Sequence, residues 1–145
     1  MPTILYAEDD HDCRELFTFA LRERGHHVYE AVNGSQAVQL VREEKIDLVI
    51  LDVRMPMISG YEAARIIARE APSVPIAFLS AKGLRLEIVT AFECSPLVVD
   101  YIVKPVSPDN FVAWAEDILQ SCRVRGNQAV REINLAREVI TESGW

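Results

Sequence analysis

Ionisable side chains follow the apolar runs of this chain. The run "DLVIL" ends on the carboxylate of Asp52, and the run "ILYA" ends on the acidic triplet Glu8, Asp9 and Asp10. Carboxylates a few ångströms apart repel and raise one another's pKa unless a cation neutralises them. A hard divalent ion with oxygen ligands, most simply Mg²⁺, would supply that charge. These residues therefore predict a magnesium site if the two runs end side by side.

Two later apolar runs also end on polar side chains. Ser80 follows "IAFL", and Lys104 follows "VVDYIV". A lysine ammonium and a serine hydroxyl can both contact an anion that a metal ion also binds, and a phosphoryl group is such an anion. One carboxylate could then act as a nucleophile and form an acyl phosphate. Asp52 is the natural candidate, because its run is the most apolar and should form a central strand.

These runs belong to an alternating β/α pattern. Runs with the length and the β-branched or aromatic content of strands are 4–7, 27–31, 46–51, 76–79 and 98–103. Segments with apolar residues at helical spacing lie between and after them. Five such repeats predict a parallel, doubly wound α/β sheet with helices on both faces. Because ligands bind at the carboxyl ends of such strands, the polar residues should meet at one edge of the sheet.

Composition limits the function classes. The chain has 145 residues, of which half are apolar, which suits one well-buried domain. A net charge of −7 argues against a non-specific grip on nucleic acid. No apolar stretch approaches the roughly 18 residues of a membrane span, so no membrane insertion is expected. The N-terminus lacks the pattern of a secretory signal, and three widely spaced cysteines suggest no disulfide framework. A cytoplasmic location fits best.

The order and spacing of these residues resemble the receiver domain of two-component response regulators, over roughly residues 3–122. The resemblance rests on "ILYAEDD" (4–10), "DLVILDVRMPMISG" (47–60), "FLSA" (78–81) and "DYIVKP" (100–105). It implies a flavodoxin-like fold with strand order 2-1-3-4-5 and five helices. It also implies that Asp52 is the phosphoacceptor. The phosphoryl donor would be the phosphohistidine of a histidine kinase or of a phosphotransfer domain.

The resemblance assigns roles to the other polar residues at the strand ends. Asp9 and Asp52 would bind Mg²⁺ together with the backbone carbonyl of Arg54, and Glu8 would act mainly through water. Ser80 matches the hydroxyl residue, and Lys104 the lysine, that contact the phosphoryl oxygens. The family also has a cis peptide bond after this lysine, which costs little only before proline.

Three residues match positions of switching and tuning in the family. Tyr101 matches the aromatic switch, whose ring turns inward when the hydroxyl residue shifts, and which changes the surface of the fourth helix, fifth strand and fifth helix. Ordinary packing of a strand tyrosine is the alternative. Arg54 and Lys82 lie two residues beyond Asp52 and Ser80, where the family tunes autodephosphorylation. Solvated surface side chains are an equal alternative for both.

The chain departs from the family before its tyrosine. Leu97 and Val98 stand where Gly-Ala is usual, and the interval between Ser80 and Tyr101 is longer than usual. The fourth helix and its exit are therefore expected to be reshaped. This departure affects the expected output surface more than the expected chemistry.

The C-terminal segment is longer than a receiver requires. We assign 1–122 to the receiver domain and 123–145 to a helical extension or linker, with a helix over about 128–141 after Gly126. An apolar stripe with 4-3-4 spacing could pair two copies into a homodimer; its residues are Ala129, Ile133, Ala136 and Ile140. The alternatives are that this stripe docks on its own domain, or that the segment begins a linker to another module.

Three function classes remain open at this point. The first is a signalling receiver that catalyses only its own phosphorylation and slow dephosphorylation, alone or within a larger regulator or hybrid kinase. The second is a phosphohydrolase of the haloacid dehalogenase type, which needs an acid/base Asp two residues after its nucleophile, where this chain has Arg54. The third is an interaction domain that keeps only the fold. The strand-end residues favour the first class.

Overall fold

The computed structural model describes residues 1–81 and 83–142, without the side chains of residues 85 and 139–142. Strands and helices alternate along them. In chain order they are β1 Thr3–Ala7, α1 His11–Glu23, β2 His27–Ala31, α2 Gly34–Glu43, β3 Leu48–Asp52, α3 Gly60–Glu70, β4 Ile76–Ser80, α4 Arg85–Glu93, β5 Val98–Val103, α5 Pro108–Arg125 and α6 Asn127–Glu142. None of the described helices combines the length and apolar content that a membrane crossing requires.

The five strands form one parallel sheet with the order β2-β1-β3-β4-β5. This order confirms the predicted flavodoxin-like fold. β3 lies in the centre, and all five of its residues are buried. It starts at Leu48, later than predicted. Asp47, just before it, is also bonded to the start of β1: its carboxylate accepts from the amide of Thr3, and its own amide donates to the Thr3 carbonyl.

Local signals account for where the helices begin and end. Asp10 caps α1, Ser59 caps α3 and Ser107 caps α5, each by accepting a hydrogen bond from a backbone amide in the first turn. Pro108 occupies the first turn of α5, where its missing amide proton has no cost. Gly25 follows α1 with a φ of +89°, a conformation that glycine adopts readily after the end of a helix.

The hydrophobic core lies in two layers, one on each face of the sheet. On one face, Leu51 of β3 and its neighbours pack with residues of α2, α3 and α4, including Ile67 and Phe92. On the other face, Ile50 packs with residues of α1 and α5. The rings of Phe17 and Phe111 stack there with their centroids 4.4 Å apart. Burial of β3 from both faces holds its last residue, Asp52, in a fixed position.

A β-bulge lies where the sequence departs from the family. Ile76 of β4 pairs with Val98, but the next residue, Ala77, pairs with Asp100, so Val99 has no partner residue in β4. An extra residue in one strand bends that strand and changes its local twist. The long interval before Tyr101 is thus accommodated at the start of β5, the edge strand that follows α4.

Helix α6 packs against β5, α5 and α4 of its own chain. The helix docks through a face that includes the buried residues Val130 and Asn134, whereas Ile133 and Ala136 of the predicted stripe are exposed. Ala129 of the stripe is half-buried, and the side chain of Ile140 lies outside the described residues. The two exposed members of the stripe therefore do not dock on the domain. Pairing of two copies through the stripe stays a prediction. The predicted division after Cys122 falls within α5 and also stays a prediction.

Candidate functional site

Three carboxylates converge where β1 and β3 end. β1 pairs with β3 up to Ala7 opposite Leu51, so the residues that follow lie side by side. One carboxylate oxygen each from Glu8, Asp9 and Asp52 lies within 4.8 Å of the other two. Glu8 and Asp52 are buried, whereas Asp9 is exposed to solvent. Three hard oxygen donors, one of them open to water, suit a hydrated divalent cation such as Mg²⁺.

Lys104 comes to the same point from the end of β5. Its Nζ lies 2.6 Å from Oε1 of Glu8 and 3.5 Å from Oδ2 of Asp52. Its backbone amide donates to the carbonyl of Ser80 at 2.7 Å, which ties the ends of β4 and β5 together. The peptide bond between Lys104 and Pro105 is cis, as the resemblance implies. A cation on a flexible stem thus lies within reach of any anion bound at the carboxylates.

Side chains that the sequence analysis did not single out hold Glu8 in place. The buried phenol of Tyr6 donates to Oε1 of Glu8 at 3.3 Å, and the backbone amide of Asp10 donates to Oε2 at 3.4 Å. Arg14 of α1 donates to the Glu8 carbonyl at 2.8 Å. One sequence feature could have indicated the contact between Tyr6 and Glu8. Tyr6 is a phenol in a mainly aliphatic strand, and it lies two residues before Glu8, which places both side chains on the same side of the strand.

The carboxyls of Asp52 and Glu8 titrate as a pair. Burial raises the pKa of Asp52 to about 7, and the hydrogen bond to Glu8 and the charge of Glu8 add to the rise, against the opposing charge of Lys104. Burial alone would raise the pKa of Glu8 as well, but the hydrogen bonds with Asp52 and Lys104 outweigh it and lower that pKa to about 2. Without a metal ion, the two carboxyls therefore share one proton from acidic pH up to about neutral pH, and that proton belongs to the pair.

This ionisation predicts how stability depends on pH when EDTA removes divalent ions. Because the pKa of Asp52 is raised by folding, the folded state keeps a proton on this carboxyl at pH values where the unfolded state has released it. The resulting stabilisation is full below the ordinary Asp52 value of 3.8 and is lost as the pH rises to about 7. We expect the contribution of Asp52 to the free energy of unfolding to fall by about 2 kcal/mol over this interval. Glu8 offsets part of this fall, because its lowered pKa adds stability as the pH rises through 4.5. Urea titrations at about pH 4 and about pH 8 measure the net decrease.

Two variants test whether Asp52 causes this decrease in the free energy of unfolding. Asp52→Asn should remove most of it, because the amide does not ionise. Asp117→Asn, at an exposed position of α5, should keep it. An equal loss of stability with pH in both variants would contradict the assignment to Asp52.

Ser80 and Tyr101 lie next to each other behind the carboxylates. Ser80 is the last residue of β4 and is buried, and the ring of Tyr101 is fully buried in β5. Burial raises the pKa of Tyr101, while hydrogen bonds with Ser80 and Tyr61 act in the opposite direction. The phenol of Tyr61 donates to the carbonyl and to the carboxylate of Glu87 in α4, at 3.2 and 3.0 Å. The ring of Tyr101 is therefore buried and linked to Ser80 at the end of β4, and its role as a switch stays a prediction.

The loop after β3 closes tightly over Asp52. The amide of Arg54 donates to Oδ1 of Asp52 at 3.3 Å, and the Arg54 side chain is exposed. The amide of Gly60 donates to the Val53 carbonyl at 2.8 Å. A Cβ at Gly60 would lie 2.2 Å from the Asp52 carbonyl, so only glycine fits there. Lys82, predicted to tune dephosphorylation, lies outside the described residues.

Comparison with known proteins identifies the family. A family model of the response regulator receiver domain matches residues 4–116. The chain belongs to the response regulator receiver family. This receiver is 38% identical over 106 residues to the transcriptional regulatory protein AfsQ1 of Streptomyces coelicolor. The aligned residues cover 73% of the receiver and 46% of AfsQ1.

A second relative and two solved structures agree with this. The receiver is 35% identical over 133 residues to the phosphate regulon transcriptional regulatory protein PhoB of Pseudomonas aeruginosa, covering 90% of the receiver and 57% of PhoB. It thus spans about half the length of these relatives. A HemR receiver domain from Leptospira biflexa superposes with a TM-score of 0.75 at 30% identity, covering 82% of this chain and 94% of that one. A CheY-like receiver domain from Methanospirillum hungatei shares the fold, with a TM-score of 0.80 at 19% identity over 87% and 99% of the two chains.

Proposed function

We propose that this receiver accepts a phosphoryl group on Asp52 from the phosphohistidine of a histidine kinase or of a phosphotransfer domain. The observation that carries the proposal is the convergence of Glu8, Asp9, Asp52 and Lys104 at the end of the central strand. The acidic residues would hold Mg²⁺, together with the backbone carbonyl of Arg54. Membership of the receiver family supports this function.

The transfer is a displacement at phosphorus. A carboxylate oxygen of Asp52 attacks, the P–N bond breaks, and its electron pair stays on the imidazole of the donor. When bound, Mg²⁺ would neutralise charge on the carboxylates and on the transferring group. Asp52 must be ionised to attack, so its proton leaves to solvent before the transfer. Lys104, which lies 2.6 Å from Glu8 and 3.5 Å from Asp52, would then contact a phosphoryl oxygen and offset part of the negative charge there.

The same proposal gives roles to the neighbouring residues. Ser80 would move towards the phosphoryl group and donate its hydroxyl proton to a phosphoryl oxygen. This movement of Ser80 would change the position of the Tyr101 ring and, with it, the surface formed by α4, β5 and α5. The hydrogen bond between Ser80 and Tyr101 supports such coupling. Arg54 and Lys82 would tune the rate at which water reaches the acyl phosphate. The exposed Arg54 side chain also stands where a dehalogenase-type hydrolase needs its acid, which disfavours turnover of external substrates.

Labelling by a small phosphodonor tests the proposed function. Incubation of the full chain with acetyl phosphate and Mg²⁺ should add the mass of one phosphoryl group, measured on the intact protein. The same incubation with EDTA in place of Mg²⁺ is the control and should leave the mass unchanged, because the carboxylates then repel the incoming anion. A label that forms equally with EDTA, or more than one label, would contradict the proposed site.

A further inference from the structure

Helix α6 is held on the domain by a side chain that binds backbone carbonyls. One guanidinium nitrogen of Arg131 donates to the carbonyls of Ser95 and Val98 at 2.7 and 2.9 Å, and the other donates to the carbonyl of Phe92 at 2.6 Å. The same guanidinium lies 5.4 Å from the centroid of the Phe92 ring. Arg131 therefore links the end of α4, the connection after it and the start of β5.

Two more residues of α6 continue this contact along β5. The amide of Asn134 donates to the carbonyl of Val99, the bulged residue, at 2.9 Å. Arg137 lies 3.2 Å from the carboxylate of Asp100, which is buried and also accepts from the indole of Trp114. The three donors recur at a spacing of three residues, so they lie on one face of the helix.

Helix α6 shields acceptors on this surface from water. They are the carbonyls of Phe92, Ser95, Val98 and Val99 and the carboxylate of Asp100. A helix that covered them without supplying donors would leave buried acceptors unpaired, which is costly. The surface formed by α4, β5 and α5 is therefore built to bind a helix that presents an Arg-x-x-Asn-x-x-Arg face.

The bend that brings α6 onto this surface depends on one residue. Gly126 is the residue between α5 and α6, and it has φ +85° and ψ +155°. This region of backbone space is essentially restricted to glycine. A Cβ built on Gly126 would meet no atom within 4 Å, so packing places no constraint on the side chain there. The requirement for glycine comes from the backbone conformation alone.

We propose that the α4–β5–α5 surface is a binding site for helix α6, filled by the chain's own α6 in the monomer and by the α6 of a second copy when the bend at Gly126 opens. A straightened α5–α6 helix carries Arg131, Asn134 and Arg137 away from their own domain. A second copy then offers them an identical set of acceptors, so exchange between two copies restores every contact. This inference does not depend on phosphorylation.

The substitution Gly126→Ala tests the exchange. Alanine disfavours the bend and favours continuous helix. We expect sedimentation of the full chain to shift from the monomer mass of 16.3 kDa to twice that mass. Hydrogen exchange of amides in α6 and β5 should stay within about twofold of the wild-type rates, because the same contacts re-form between copies. Arg125→Ala, at the exposed last residue of α5, should remain monomeric.

A second substitution ties the dimer to this surface. Adding Arg131→Ala to Gly126→Ala should abolish the dimer and speed hydrogen exchange in α6 by at least about tenfold. A Gly126→Ala protein that remains monomeric with α6 protected would overturn the proposal. So would a dimer, of the variant or of the wild type, that survives Arg131→Ala, since that dimer would use another surface.

Discussion

Replacing Asp52 by asparagine is expected to abolish labelling by acetyl phosphate and Mg²⁺. The amide has no charged oxygen to attack phosphorus, so the rate should fall by about a thousandfold or more. The variant keeps the shape of the side chain and removes a charge from a cluster of three carboxylates. It should therefore fold, and without Mg²⁺ it should be about 1–3 kcal/mol more stable than wild type at neutral pH. Intact-mass measurement over time gives the labelling rate.

The matched control is Asp117→Asn, which removes the same charge from an exposed position on α5. Its labelling rate should equal that of the wild type. If Asp52→Asn gained the same mass as the control, another carboxylate would be the acceptor, with Asp9 the first to examine because it is the exposed member of the cluster.

Replacing Gly60 by alanine is expected to have the largest effect on stability. The new Cβ would lie 2.2 Å from the carbonyl oxygen of Asp52 and 2.9 Å from the Cα of Val53. Both contacts are with backbone, so relief requires the end of β3 to move away from α3. We expect the free energy of unfolding to fall by about 3 kcal/mol or more, measured by urea titration.

Gly83→Ala is the matched control for this substitution. Its Cβ would approach a methyl group of Val103 at 2.8 Å, and that side chain can shift. The cost there should stay near about 1 kcal/mol. If both variants lost equal stability, the close approach to the Asp52 carbonyl would not be the cause. Labelling of Gly60→Ala should also slow, because displacement of β3 carries Asp52 with it.

The sequence by itself determined the β/α alternation and the strand-end placement of the polar residues. Hydrophobic runs of strand length reveal which segments are buried on both faces, and local caps such as Ser107 and Asp10 act within one turn of their own helix. Motif spacing around Asp52 then identified the family. These features depend on residues close together in the chain, which is why a single sequence carries them.

Long-range contacts decided the rest. The phenol of Tyr61 in α3 donates to the carboxylate of Glu87 in α4, and only the fold brings these two residues together. The C-terminal helix illustrates the same limit. Its apolar stripe suggested the contact face, yet the contact is made by Val130 together with Asn134 and two arginines. The partners of the polar residues are backbone carbonyls and the buried carboxylate of Asp100 in β5.

Hydrophobic periodicity identifies faces that avoid water, but it contains no information about polar groups that another segment leaves unpaired. The acceptors at the start of β5 arise from its edge position and from the bulge at Val99, which exist only in the assembled sheet. The site at Asp52 could thus be predicted from strand order and motif, whereas the surface that α6 occupies was decided by tertiary structure.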